Sequence, residues 1–158
     1  MSDQIKNVFV SHIHEDDKGL GEFKSLLEKN GMAIRDYSIN SDNPNNAKSE
    51  DYIKSEILAP RIRDCGVMVV YISPDTKESK YVNWEIEYAQ SQGKRIVGVW
   101  AHGEQGCDVP DALADYANAV VGWQGNRIID AINGHINEWE EPDGNLIPPR
   151  DIKRYSCR

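Results

Sequence analysis

Two short stretches carry most of the side chains that could do chemistry. In NVFVSHIHEDD, Asn7 to Asp17, an apolar run stops abruptly in Ser11, His12, His14, Glu15, Asp16 and Asp17. In SKYVNWEIEYAQ, Ser79 to Gln90, Glu85 stands between Trp84 and Ile86. The first stretch admits three chemistries: a metal cluster, the acidic pocket of a phosphate-accepting switch domain, or the lip of a nucleotide pocket.

Each demands partners elsewhere in the chain. His12 and His14 alternate, so an extended backbone would turn both rings to one side. No HExxH or paired-cysteine pattern joins them, and no metal is expected. A phosphate-accepting switch needs an aspartate at the end of its third strand and a lysine after a later one. Here the central apolar run ends in Tyr71, Ile72 and Ser73, and VGVWAHG carries no lysine. Asp16 or Asp17 at the start of a helix explains the acids more simply, because exposed amides there favour negative charge. A phosphate loop of the GxxxxGK[ST] type is missing, and GLGEF falls short of GxGxxG. Ser11 and His12 are sequence neighbours with no GxSxG turn, so a hydrolase triad has little support. Cys65 opens an apolar strand and reads as core.

Glu85 has a more suggestive setting. Tyr81 and Tyr88 lie four and three positions away and can share its helix side, while Val82, Ile86 and Ala89 form the adjacent apolar face. A carboxylate between aromatic and core residues, near the first turns of a helix, can face a ligand and lose part of its water. The common alternative is a solvated or capping glutamate, and Glu87 has that character.

The elements that must position these residues alternate along the chain. Val8–Val10 predicts a strand, and DKGLGEFKSLLEKNG a helix ending near Gly31 on the recurrence of Leu20, Phe23, Leu26 and Leu27. MAIRDYSI predicts a second strand, NSDNPNNA a loop, and SEDYIKSEILAPRIRD a helix capped by Ser49 with Pro60 near its end. CGVMVVYIS is apolar enough for a central parallel strand. KYVNWEIEYAQSQG predicts the third helix and RIVGVW the next strand. A short helix in DVPDALADYA, a final strand in NAVVGW and an amphipathic helix over RIIDAINGHINEW complete the order. Such alternation predicts a three-layer α/β domain, whose ligand would lie beyond the carboxyl ends of the strands. The rim would then gather Ser11 to Asp17, Asp36 to Asn46, Ser73 to Asn83 and Ala101 to Cys107.

Composition narrows the partners. A chain of 158 residues suits one domain, and 18 basic against 26 acidic residues, a formal charge of -8, disfavours nucleic acid as a partner. Three widely spaced cysteines fit free thiols in a reducing cytoplasm, and no apolar stretch is long enough for a membrane span. A soluble cytoplasmic protein is expected.

The two motifs and their order resemble the TIR-like domains of bacterial antiphage defence, in particular the small Thoeris-type TIR-like proteins. The resemblance rests on VFVSHIHEDD, on the block from Ser49 to Trp100 and on the strand–helix order between them, over about Lys6 to Trp139. It implies a flavodoxin-like TIR fold with a central, mainly parallel sheet over residues 1–141, followed by an irregular tail at 142–158. It also implies NAD as substrate, with Glu85 as the glutamate that acts on the nicotinamide-bearing ribose. Phe9, Ser11 and His12 map to the rim after the first strand and Asp36 to the loop after the second. Ser73, Asn83 and Trp84 complete the candidate substrate contacts. Structural roles compete with each: hydrogen bonding for Ser11 and His12, capping for Asn83, and helix-to-sheet packing for Trp84. The stretch YVNWEIE departs from many animal TIR domains, which carry a cysteine after the tryptophan and are often scaffolds. The Thoeris resemblance further implies a signal generator that cyclises its product to a cyclic ADP-ribose isomer. A phage-derived activator, a separate effector reached through that signal and a homo-oligomer are the partners it implies. The rival expectation is a noncatalytic TIR-like interaction module.

Overall fold

The unbroken apolar run Val67–Ile72 forms the central strand of the computed structural model, with every residue buried. Residues 4–13, 17–36, 53–103 and 109–140 are the ones the structure describes. Among them five strands, β1 (Gln4–Ser11), β2 (Met32–Asp36), β3 (Val67–Ile72), β4 (Arg95–Trp100) and β5 (Ala119–Val121), make one sheet in the order β2-β1-β3-β4-β5. All four pairings are parallel. That order is the flavodoxin-like one, and its reversal between β1 and β3 is the switch point beyond whose carboxyl ends such sheets bind ligands.

Parallel strands need crossovers, and the helices supply them on both faces. Helix α1 (Asp17–Lys29) packs Leu20, Phe23 and Leu27 with α5 (Gly125–Ile132), which brings Ile128, Ala131 and Ile132, against Val8, Val10 and Val69. On the opposite face lie α2 (Ala59–Asp64), α3 (Lys80–Ser91) and α4 (Asp111–Tyr116), packed on Phe9, Met68, Val70 and Ile72. The period of two along each strand sorts these sets: Val8 and Val10 go to one face, Phe9 to the other. A close approach joins α1 to the central strand. A Cβ on Gly19 would stand 2.1 Å from the Tyr71 hydroxyl, so only glycine leaves room for that ring.

Two helices differ from their sequence expectation. The helix expected over 49–64 is divided: a π-helical run at Ile53–Leu58 leads into α2, with Pro60 in the first turn of the latter. Pro60 stands where the π-helical run passes into α2 and donates no N–H to that ladder. The Ser49 cap and Tyr52 lie outside the described residues, as does the loop expected at 40–47. The helix expected over RIIDAINGHINEW stops at Ile132. Gly134 takes a φ of 90°, its N–H donates to the Ala131 carbonyl, and the His135 N–H donates to the Asp130 carbonyl at 2.8 Å. This left-handed glycine cap turns the chain back to the sheet. Glu138 to Glu140 then run beside β5, with a parallel bridge between Val120 and Trp139, and cover the edge of the sheet. Trp139, expected on a helix, is instead buried against the α2–α4 face.

Among the described residues no helix is long and apolar enough to cross a membrane. The expected tail at 142–158 falls outside them.

Candidate active site

Helix α3 starts where its sequence asks it to. Ser79 adopts an extended conformation and its Oγ accepts the Val82 N–H at 3.1 Å, a cap that stabilises such a helix by about 1 kcal/mol. The buried residues are Val82, Glu85, Ile86 and Ala89, spaced as the i, i+3, i+4, i+7 stripe that faces a sheet. Glu85 therefore occupies a core-facing position. Its spacing sets it between that face and the flank of Tyr81 and Tyr88. On that flank Trp84 stacks on Tyr88 with centroids 5.3 Å apart and planes 9° from parallel. Lys54 Nζ caps this flank, 5.7 Å from the centroids of both Tyr81 and Trp84, and Arg63 donates to the Tyr88 hydroxyl at 2.8 Å.

Strand β1 delivers the partner of Glu85. Ser11 follows Phe9 by two residues, so both point to the α3 side, and Ser11 is the last residue of the strand. Its hydroxyl donates to Glu85 Oε1 at 2.6 Å, with both side chains buried. Among the described residues this is the hydrogen bond that Glu85 makes, and no cation neutralises it. Burial pushes the carboxyl group up from 4.5 to about 8, against a smaller opposing effect from the Ser11 hydroxyl. A carboxyl group in this setting changes charge near neutral pH.

The other candidates surround this pair in differing ways. Phe9 is 1% exposed and belongs to the packed face beneath it. His12 Nδ1 lies 2.8 Å from the Val10 carbonyl, and since a carbonyl only accepts, Nδ1 carries the proton. Asp36 extends the β1–β2 ladder by one side chain: it accepts the Val10 N–H at 3.3 Å and pairs with Lys24 at 3.2 Å. Ser73 begins a turn in which Thr76, fully buried, accepts the Ser73 N–H at 2.9 Å and bonds the Tyr71 carbonyl. Asn83 donates to the carbonyls of Lys77 and Ser79 and accepts the Ala112 N–H, clamping the start of α3 to α4. The structure thus brings Ser11 and Glu85 into contact and gives Asp36, Ser73 and Asn83 backbone partners around them. His14, Glu15 and Asp16, with residues 37–46 and 104–107 of the expected rim, lie outside the described residues.

Thr76 and Lys54 were not singled out by the sequence. Ser73-Pro-Asp-Thr76 is a turn signal that could have indicated the first, whereas only the folded position of Lys54 over two rings indicates the second. A hollow of about 500 Å³ lined by Glu22, Leu26, Lys29, His102 and Trp123, among others, opens on the α1 side of the sheet, away from Glu85. None of its lining residues is buried.

A parallel sheet in the order β2-β1-β3-β4-β5 with helices on both faces is consistent with a flavodoxin-like TIR fold. Residues 9–106 match the family described as Thoeris protein ThsB, TIR-like domain, and the chain belongs to that family. Membership supports a general NAD-related enzymatic role. Among solved structures, Clostridium botulinum CMP N-glycosidase, BcmB, is similar at 22% identity with a TM-score of 0.42, over 63% of this chain and 75% of that one. No curated protein sequence matches significantly.

Proposed function

We propose that this chain consumes NAD, breaking the bond between nicotinamide and ribose with Glu85 as its catalytic carboxyl group. The observation that supports the reading is the Glu85 carboxyl, buried without a cation among the described residues and bonded to Ser11 at the carboxyl end of β1, beside the β1–β3 switch point. A group so placed lacks a structural countercharge, and the nicotinamide ring of NAD brings a positive one. Approach of that ring favours the ionised carboxylate.

The chemistry then needs little acid catalysis. When the bond between ribose C1′ and the ring nitrogen breaks, its electron pair goes to the nitrogen and nicotinamide leaves neutral. Positive charge passes to the ribose, where a carboxylate in a dry site stabilises it. Water attack at C1′ gives ADP-ribose and a proton that the carboxylate accepts. Attack by a hydroxyl of the same molecule gives a cyclic ADP-ribose isomer and the same proton. We favour the cyclising outcome, with the product acting as an antiphage signal to a separate effector and a phage-derived component triggering synthesis. Family membership supports the NAD-related role, and the cyclising outcome, the effector and the trigger are our extension of it. His12 and Asp36, at the carboxyl ends of β1 and β2, are the proposed contacts to the rest of the substrate, and a homo-oligomer is the proposed working state.

The test is incubation of the purified chain with NAD, with and without lysate from phage-infected cells, followed by chromatography and mass spectrometry beside Glu85→Gln. Nicotinamide and a cyclic isomer from the native protein alone support the proposal. ADP-ribose in place of the isomer retains cleavage and removes cyclisation. A folded protein that makes no product in either condition gives preference to the noncatalytic interaction module.

A further inference from the structure

We propose that Ser11 is a positioning residue of this site: its hydroxyl holds Glu85 Oε1, leaving Oε2 as the oxygen that meets the substrate. The assignment rests on the NAD-cleaving reading above and gives Ser11 a different task from the substrate contact expected of it.

The geometry carries the assignment. Serine has one O–H to donate, and that of Ser11 is committed to Glu85 at 2.6 Å. Ser11 is 1% exposed, so a ligand arriving from the rim meets little of it. Its backbone is fixed as well, because β1 pairs with β3 through Val10 against Val69 and Ser11 against Val70. A strand in the middle of the sheet therefore holds one carboxyl oxygen of a helix. Oε2 has no hydrogen-bond partner among the described residues. Glutamate has three side-chain torsions, and one short bond from a rigid strand removes much of the freedom that a reacting oxygen would otherwise lose on meeting its substrate.

Several ionisable groups on the neighbouring elements are engaged elsewhere, and Asp64 on α2 and Lys80 on α3 are exposed. On β1 the His12 ring bonds the Val10 carbonyl; on β2 Asp36 pairs with Lys24 of α1. Ahead of α2, Lys54 lies over the Tyr81 and Trp84 rings; Arg63 on α2 bonds Tyr88, and Asp111 on α4 pairs with Lys77. Glu87, on α3 itself, is exposed. The Ser11 hydroxyl is thus the described polar group in direct contact with the Glu85 carboxyl.

The experiment pairs NAD turnover with a carboxyl titration by NMR on glutamate-labelled full-length protein. Ser11→Ala should move the Glu85 midpoint upward, because it removes a donor that favours the ionised form. It should lower kcat about tenfold or more, with KM changed less than about threefold, and shift the rising limb of the pH–rate profile to higher pH. Ser11→Cys, a weaker donor, should fall between the two, and it decides the matter if the alanine protein does not fold. A folded Ser11→Ala protein with an unmoved midpoint overturns the assignment. So does a raised KM at unchanged kcat, which would make Ser11 a substrate contact. If the native protein releases no nicotinamide under any condition, the NAD reading fails, while the titration still decides whether Ser11 controls Glu85.

Discussion

Glu85 and Glu140 are both buried, at 7% and 2% exposure, and the fold holds them in opposite ways. Glu140 follows the strand-like segment at the edge of the sheet. Its Oε1 accepts the Gly122 N–H at 3.1 Å, and its Oε2 accepts two donors from the Arg127 guanidinium, Nε at 2.8 Å and Nη2. Its backbone carbonyl takes the Trp100 indole N–H at 2.7 Å. A carboxylate so surrounded has its charge matched and its lone pairs used, and it ties three separate segments together. Among the described residues Glu85 has one neutral donor and no cation. The first pattern is that of a buried charge retained for structure. The second leaves a buried carboxyl with no countercharge among the described residues, the pattern that the proposed function asks of a group kept for a ligand.

The contrast predicts different losses. Glu85→Gln should reduce NAD cleavage on the order of 10³- to 10⁴-fold in product-release assays, with the protein folded. Equal activity in the variant would break the comparison at once. Glu140→Ala should instead lower unfolding free energy by about 3–4 kcal/mol in chemical denaturation, because it strands the Arg127 charge and the Gly122 N–H. Turnover per folded molecule should be little changed.

Dependence on pH sharpens the same contrast. The folded Glu85 carboxyl holds its proton up to about 8 while the unfolded one releases it near 4.5. The native state therefore binds more protons over that window, and the stability contributed by neutral Glu85 is present below about 4.5 and lost as pH rises through about 8. Melting temperatures of the native protein should fall relative to Glu85→Gln across this range. At pH 9 the variant should be the more stable by about 1–2 kcal/mol. Over the same window kcat/KM should rise with an inflection near 8, as the free enzyme gains its carboxylate. The smallest expected effect is at Asn83. Asn83→Ala should cost about 1–2 kcal/mol of stability by freeing the Ala112 N–H, and leave the Glu85 titration unmoved.

Much of the fold was legible along the chain because period and composition are local. The run RIVGVW became β4, CGVMVVYIS contained β3, and KYVNWEIEYAQSQG contained α3. Where expectation failed, a competing local feature won. The apolar spacing of RIIDAINGHINEW continued past the helix, but Gly134 ended it and the remaining apolar residues served the sheet. Pro60 marked a helix boundary that spacing alone ran through. At the site, the importance of Glu85 could be proposed from its neighbours and from the family resemblance, and its place between aromatic and apolar residues was legible. A stripe of Val82, Ile86 and Ala89 with a glutamate at the remaining position is visible in the sequence, and it places Glu85 toward the sheet.

The sequence by itself determined which residues alternate on β1, which face α3 buries, and that a glutamate interrupts that face, because side-chain direction follows from backbone period. That Ser11 and Glu85 meet across 74 positions was decided only by the tertiary structure. Their contact depends on the register of β1 against β3 and on how α3 lies across both strands, quantities set by packing between elements distant in the chain. The lack of a cation on Glu85 among the described residues has the same origin: Arg63 lies against Tyr88 and Lys24 against Asp36, placements that only the packed structure sets.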